Sequence, residues 1–168
     1  MEFSVRELSQ SDITECDRIL RALPQWFGIE DSNRTYIENL EKFPAAVAEI
    51  EGKVVGFVAL EYHTPTSVEV HVMAVDPAFH HAGIGGGLLY WAEARCKEQR
   101  ARWLHVKTRG PSTPDAFYER TRRFYQSQGF EPLFESRTLW GEEDAALILV
   151  KPLCTEQAAQ QGDEADRP

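Results

Sequence analysis

The chemistry of this chain is concentrated in one stretch, Val68-Glu69-Val70-His71-Val72-Met73-Ala74-Val75, and in the loop His80-His81-Ala82-Gly83-Ile84-Gly85-Gly86-Gly87 that soon follows. The first part alternates and is rich in β-branched residues, which predicts a strand with Glu69, His71, Met73 and Val75 on one face. Two titratable side chains on such a face can move protons. Each also has a plainer use: Glu69 in a structural salt bridge, His71 as a hydrogen-bonded core residue. The second part reads as a strand end, a short turn and a run of glycines that opens a helix. Glycine lets a backbone approach an anion closely, and a helix start offers unpaired N–H groups at the positive end of its dipole. Together they make a site for a diphosphate.

Two other phosphate-binding patterns are excluded. A dinucleotide GxGxxG begun at Gly83 would need its third glycine where Leu88 stands. A Walker loop needs Lys-Ser or Lys-Thr straight after the glycines, and Lys107-Thr108 falls inside a later strand pattern.

Around these residues, periodicity predicts a strand at Phe3–Glu7 and a helix capped by Ser9 or Ser11 that runs to about Leu23 and is closed by Pro24. A second helix runs from Asp31 or Ser32 to about Lys42. Strands at 45–50 and 53–62 flank Glu51-Gly52, a hairpin turn. After the chemical strand comes a helix from Gly83 to about Gln99, then a strand at 103–108. Asp115 caps a helix that Gly129 ends. Two final strands, 130–140 and 145–151, flank Gly141-Glu142-Glu143. Strands that arrive in a run and then alternate with helices imply a single α/β domain, residues 1–153, with a mixed twisted sheet of about seven strands and helices on both faces. Residues 154–168 carry no apolar anchor and read as a disordered acidic tail.

The 168 residues suit one domain, and 42% hydrophobic content can fill one core. A net charge of −9 argues against nucleic acid as a partner and suits attraction of cationic amines. Cys16, Cys96 and Cys154 are odd in number and widely spaced, which predicts neither disulfides nor a zinc site. His80 and His81 are adjacent with no third ligand at suitable spacing, and His63 and His105 stand isolated, so no metal is expected. No run is long enough to span a membrane and no signal core begins the chain, which makes a cytoplasmic location the expectation. Arg120, Arg122 and Arg123 form either a solvated helix face or a contact to a cofactor phosphate.

The loop, His80-x-x-Gly83-x-Gly85 after a central strand, resembles the pyrophosphate loop of the GNAT superfamily of N-acetyltransferases, with histidine where Gln or Arg is usual. Phe124-Tyr125-Gln-Ser-Gln-Gly129-Phe130 is similar to the second signature of that family, and the order of elements agrees from Phe3 to Leu153. Leu23-Pro-Gln-Trp-Phe-Gly-Ile29 with Trp140-Gly141 also resembles a bacterial subgroup named after aminoglycoside acetyltransferases. The resemblance implies acetyl-CoA as co-substrate, held by residues 80–86 and by the backbone of Met73, Ala74 and Val75, with the central strand splayed from its neighbour. It implies Glu69 as catalytic base with His71 as partner or substitute, and Tyr125 as the acid that protonates the departing thiolate. A base is needed because an alkyl ammonium, with a pKa near ~10, cannot attack a carbonyl. Trp26, Phe27, Tyr36 and Trp140 are then candidates for the acceptor pocket, where aromatic faces hold an amine by cation–π contact. The acceptor implied is a small-molecule primary amine. A protein lysine or N-terminus, or a regulator that binds acyl-CoA without turnover, stands as the alternative. Homodimers are common among such proteins.

Overall fold

The computed structural model describes residues 2–141 and 143–153, and the expected acidic tail lies outside them. The elements follow in the order β1 (Ser4–Glu7), a 3-10 turn (Gln10–Asp12), α1 (Ile13–Arg21), α2 (Glu30–Asn39), β2 (Ala45–Ile50), β3 (Lys53–Thr64) and β4 (Ser67–Val75). A second 3-10 turn (Pro77–Phe79), α3 (Ile84–Glu98), β5 (Trp103–Arg109), α4 (Ala116–Ser127), β6 (Glu131–Ser136) and β7 (Ala146–Pro152) complete it. The sheet has seven strands in the order β1-β2-β3-β4-β5-β7-β6. Its neighbours are antiparallel except β4 and β5, which run parallel.

Two apolar layers cover the sheet, as the expected helices on both faces require. Cys16, Ile19 and Leu20 of α1, at helical spacing, bury with Leu23 and Leu40 against Val47, Phe57, Val72 and Ala74. On the opposite face Leu88, Leu89, Ala92 and Cys96 of α3 and Tyr125 of α4 pack on Val55, Val58, Val68 and Leu104. The helix expected from Ser9 begins with a 3-10 turn, tied by Ser9 N–H donating to Asp12 Oδ2 (2.7 Å). Arg6 of β1 grips the same Asp12 carboxylate with two bonds of 2.7 and 2.9 Å. In the β2–β3 turn, Glu51 and Gly52 both take positive φ (50° and 78°), the geometry that a two-residue hairpin needs.

Two features of the sheet shape the site. Ala59 of β3 pairs with Val72, but Leu60 pairs with Val70, so His71 is an extra residue in β4 with no partner on β3. This bulge resets the alternation. Met73 and Val75 join Val68 and Val70 on the α3 side, whereas Val72 and Ala74 face α1 and α2. Glu69 and His71 therefore share the α1–α2 face as expected, but Met73 and Val75 do not lie with them. Beyond the bulge, β4 also leaves β5. Their pairing runs only through Ser67–Trp103, Val68–Leu104 and Glu69–His105. β5 goes on pairing with β7 as far as Arg109–Ala146. Among the described residues, the β5-facing edge of β4 from Val70 to Val75 is thus left without a strand partner.

β6 is shorter than its apolar pattern suggests, ending at Ser136, and Leu139 and Trp140 lie half-exposed beyond it. No helix among the described residues is long and apolar enough to cross a membrane.

Candidate active site

The divergence of β4 and β5 opens a cleft of about 670 Å³ that runs from the start of α3 to the α1–α2 face. At the loop end, Gly83 is the N-cap of α3 with φ +81°, a left-handed conformation natural to glycine, and a Cβ there would meet nothing within 4 Å. Gly85 is needed for another reason, since its Cβ would come within 3.0 Å of the Phe124 ring. Close packing, and not anion approach, thus accounts for that glycine. Among the described residues the amides of His81, Gly83, Ile84, Gly85 and Gly86 donate to no backbone carbonyl, while Gly87 N–H already closes on Gly83 O (3.1 Å). These are the free donors of a helix start, and residues 83–86 line the cleft. Ala82 instead packs against the α3-side core. His80 lines the cleft, but its Nε2–H donates to the Val75 carbonyl (2.9 Å), which ties the loop to the end of β4.

Met73, Ala74 and Val75 form one wall of the middle of the cleft, facing Val106, Lys107 and Thr108 of β5. Thr108 is 3% exposed and its Oγ1 has no hydrogen-bond partner, so this wall retains an unspent polar group. Tyr125 reaches the same cavity from α4. Its ring packs edge-on against Phe124 and Phe130, and burial pushes its phenol well above the usual range, so it stays protonated.

The far end gathers side chains from many elements. His71 Nδ1 lies 3.1 Å from Glu61 Oε2, and Asn39 Nδ2 lies 3.1 Å from His71 Nε2. The Asn39 amide nitrogen can only donate, so Nε2 accepts from it, and the ring proton sits on Nδ1 toward the Glu61 carboxylate. Burial lowers the His71 pKa, and the neighbouring Glu61 and Glu69 charges only partly offset this. Tyr36 and Phe43 stand edge-on to its ring at 5.3 and 5.0 Å. Phe27 packs on Tyr36, and Trp26 is pinned to α4, with its Nε1–H donating to Thr121 Oγ1 (2.9 Å) and its carbonyl accepting from Tyr118 Oη (3.2 Å). Trp26, Phe27, Tyr36 and Trp140 all line the cavity.

Glu69 differs from expectation in its surroundings. It is 4% exposed, with Oε2 2.6 Å from His63 Nε2 and Oε1 3.0 Å from Lys107 Nζ. Burial alone would raise its pKa, but hydrogen bonds from His105, His63 and Lys107 outweigh this and hold it at about 2. His63 and His105, isolated in the sequence, are not isolated in space: their rings stand 5.4 Å apart around this carboxylate. Of the three arginines of α4, only Arg120 lines the cleft, stacked on Phe117, while Arg122 binds the Arg109 carbonyl and Arg123 pairs with Glu119. Sequence reasoning missed Glu61, Asn39, Lys107, Thr108 and Tyr118. Of these, Glu61 alone carries a local signal, a carboxylate on the strand that pairs with Glu69.

Residues 41–132 match the Acetyltransferase (GNAT) domain family. The chain is 28% identical over 131 residues to an amino-acid acetyltransferase of Ectopseudomonas mendocina, a match that takes in 77% of this chain but only 28% of that relative's length. A crystal structure of a GNAT-family protein from Desulfovibrio desulfuricans superposes with a TM-score of 0.79 at 18% identity, covering 91% of this chain and 100% of that one. A GNAT family acetyltransferase from Elizabethkingia anophelis, solved with acetyl-CoA bound, gives 0.70 at 16% identity over 90% of this chain and 98% of the other. The splayed strands, the glycine loop with its free amides and the family match over more than half of the sequence agree: the chain belongs to the GNAT acetyltransferase family.

Proposed function

We propose that this protein transfers the acetyl group of acetyl-CoA to a primary amine of a small molecule, by direct attack and without a covalent enzyme intermediate. The observation that carries the reading is a single continuous cleft, with free loop amides at one end, unpaired strand edges in the middle and His71 in an aromatic enclosure at the other. Its volume lies within the range of small-molecule sites. The bound acetyl-CoA of the E. anophelis relative supports the choice of donor.

Acetyl-CoA supplies an acetyl thioester, activated toward attack by nitrogen. The amides of His81 and Gly83–Gly86 hold its pyrophosphate, with Arg120 available for further phosphate charge. The unpaired edge of β4 at Met73–Val75 holds the pantetheine arm and donates to the oxyanion as it develops. His71, not Glu69, takes a proton from the acceptor's ammonium at Nε2, the amine displacing the hydrogen bond from Asn39, with Glu61 fixing the ring from Nδ1; the neutral amine then attacks. A carboxylate held at about 2 by its hydrogen-bond donors lies far below an alkyl ammonium near ~10 and is a poor acceptor for its proton. An imidazole, ordinarily near ~6.5, faces about half of that gap before its burial is counted. Both oxygens of Glu69 are also already engaged. Tyr125 Oη returns a proton to the departing thiolate. Trp26, Phe27, Tyr36 and Trp140 wall the acceptor.

The test is thiol release from acetyl-CoA across a panel of small amines and peptides, with calorimetry of CoA binding alongside. We expect turnover of at least one small primary amine, strongly reduced in His71→Ala while CoA binding persists. Absence of CoA binding overturns the reading. Binding with no turnover of any amine or peptide replaces it with a regulator, and turnover of peptides alone removes the small-molecule acceptor.

A further inference from the structure

Two histidines that acetyl transfer does not use converge on Glu69. His63 Nε2 is 2.6 Å and His105 Nε2 3.7 Å from Glu69 Oε2, and the three atoms all lie within 4.8 Å of one another. They stand on three adjacent strands. Glu69 is directly opposite Glu61 on β3 and His105 on β5, and His63 follows Glu61 by two residues. Strand register sets the Glu69–His105 separation, while His63 is an extra residue at a register shift of β3, between Tyr62, paired with Val68, and Thr64, paired with Ser67.

We propose that His63, Glu69 and His105 form a binding site for a divalent transition cation, with zinc the ion this ligand set suits best. Two imidazoles and one carboxylate, with a fourth position open to water, are a recurrent zinc environment. With metal bonds of about 2.0–2.2 Å, ligand atoms in a tetrahedral site stand roughly 3.3–3.5 Å apart. The His105–Glu69 separation of 3.7 Å is already close to this. The His63 ring must swing outward by roughly 1 Å from a hydrogen bond to a coordination distance. It is the ligand freest to do so, its side chain being 39% exposed, and that exposure also gives the ion its path in.

The surroundings have the features of an outer ligand shell. Lys107 Nζ holds Oε1 at 3.0 Å, which orients the carboxylate and leaves Oε2 for the ion. Ser67 Oγ lies 3.4 Å from His105 Nδ1, a contact that fixes which ring nitrogen faces Glu69. Glu61 Oε2, 3.9 Å from His63 Nε2, adds a second negative charge. With neutral imidazoles, two carboxylates face one ammonium, so the cluster carries a net negative charge that a divalent cation neutralises. On binding, His63 shifts to the tautomer protonated at Nδ1, which frees its Nε2 lone pair for the ion with no net change in protonation.

The test uses the untagged full chain, titrated with cobalt(II) while its visible d–d absorption is followed, and with zinc by calorimetry. We expect one ion per chain and an intense band of low coordination number. His63→Ala and His105→Ala lose measurable binding, and Ser67→Ala weakens it about tenfold. CoA affinity, measured on the same preparations, stays unchanged and shows that each variant is folded, so this result is separable from the acetyl-transfer reading. Absence of both the cobalt band and zinc heat overturns the site. So does binding that survives the His63→Ala/His105→Ala double substitution.

Discussion

At the loop end of the cleft the free polar groups are backbone amides of one short stretch, His81 and Gly83 to Gly86, fixed by the start of a single helix. At the opposite end the groups are side chains: Trp26 and Phe27 from the loop before α2, Tyr36 and Asn39 from α2, Glu61 from β3, His71 from β4 and Trp140 from beyond β6. The first arrangement is set by local backbone geometry, with glycine required where φ is left-handed at Gly83 and where the Phe124 ring closes on Gly85. The second depends on the packing of elements far apart in sequence and fails if one partner is removed.

The largest effect that would sharpen this contrast comes from the side-chain end. His71→Ala should lower kcat about a thousandfold with CoA affinity unchanged, read from steady-state kinetics and calorimetry. A parallel loss of CoA affinity would break the separation of the two ends. Tyr125→Phe keeps the ring in its edge-on contacts and removes only the hydroxyl. It should lower kcat about a hundredfold without moving Tm, and an unchanged rate would remove Tyr125 from the chemistry. At the backbone end, Gly83→Ala meets no steric contact but must hold φ at +81°, costing about 1–2 kcal/mol. CoA binding should weaken roughly tenfold, with kcat at saturation little changed, since about 1.4 kcal/mol corresponds to a factor of ten. The smallest effect lies outside both ends. Arg6 and the Ser9 amide depress the Asp12 carboxyl well below the ordinary range, the Arg6 hydrogen bond being the larger cause. A depressed folded pKa gives stability that is present at neutral pH and lost as pH falls through the acid range. Asp12→Asn should therefore cost about 1–2 kcal/mol by denaturant unfolding at pH 7, a difference that shrinks below about pH 4, while kcat stays unchanged.

Much of the scaffold could be read from local pattern. The β2–β3 hairpin around Glu51-Gly52, the Asp115 cap and the glycine start of α3 depend on residues within a few positions of each other, and each stands where the sequence put it. The face assignment of β4 failed because a bulge changes register without changing residue type. Nothing in Val70-His71-Val72 announces that His71 has no partner on β3. The reason for Gly85 was likewise hidden, since Phe124 is supplied by another helix.

The sequence by itself determined the glycine loop that opens α3, the order of the elements and the types of residue that could carry a proton, all of which depend on short-range spacing. Only the tertiary structure decided what each titratable group does. Glu69 and His71 are two residues apart on one strand. One is locked by His63 and Lys107 and the other is poised between Glu61 and Asn39, because the strands and helix that bring those partners are fixed by long-range pairing and burial. A side chain's proton affinity is set by what surrounds it in space, and those neighbours are assembled only when the sheet closes.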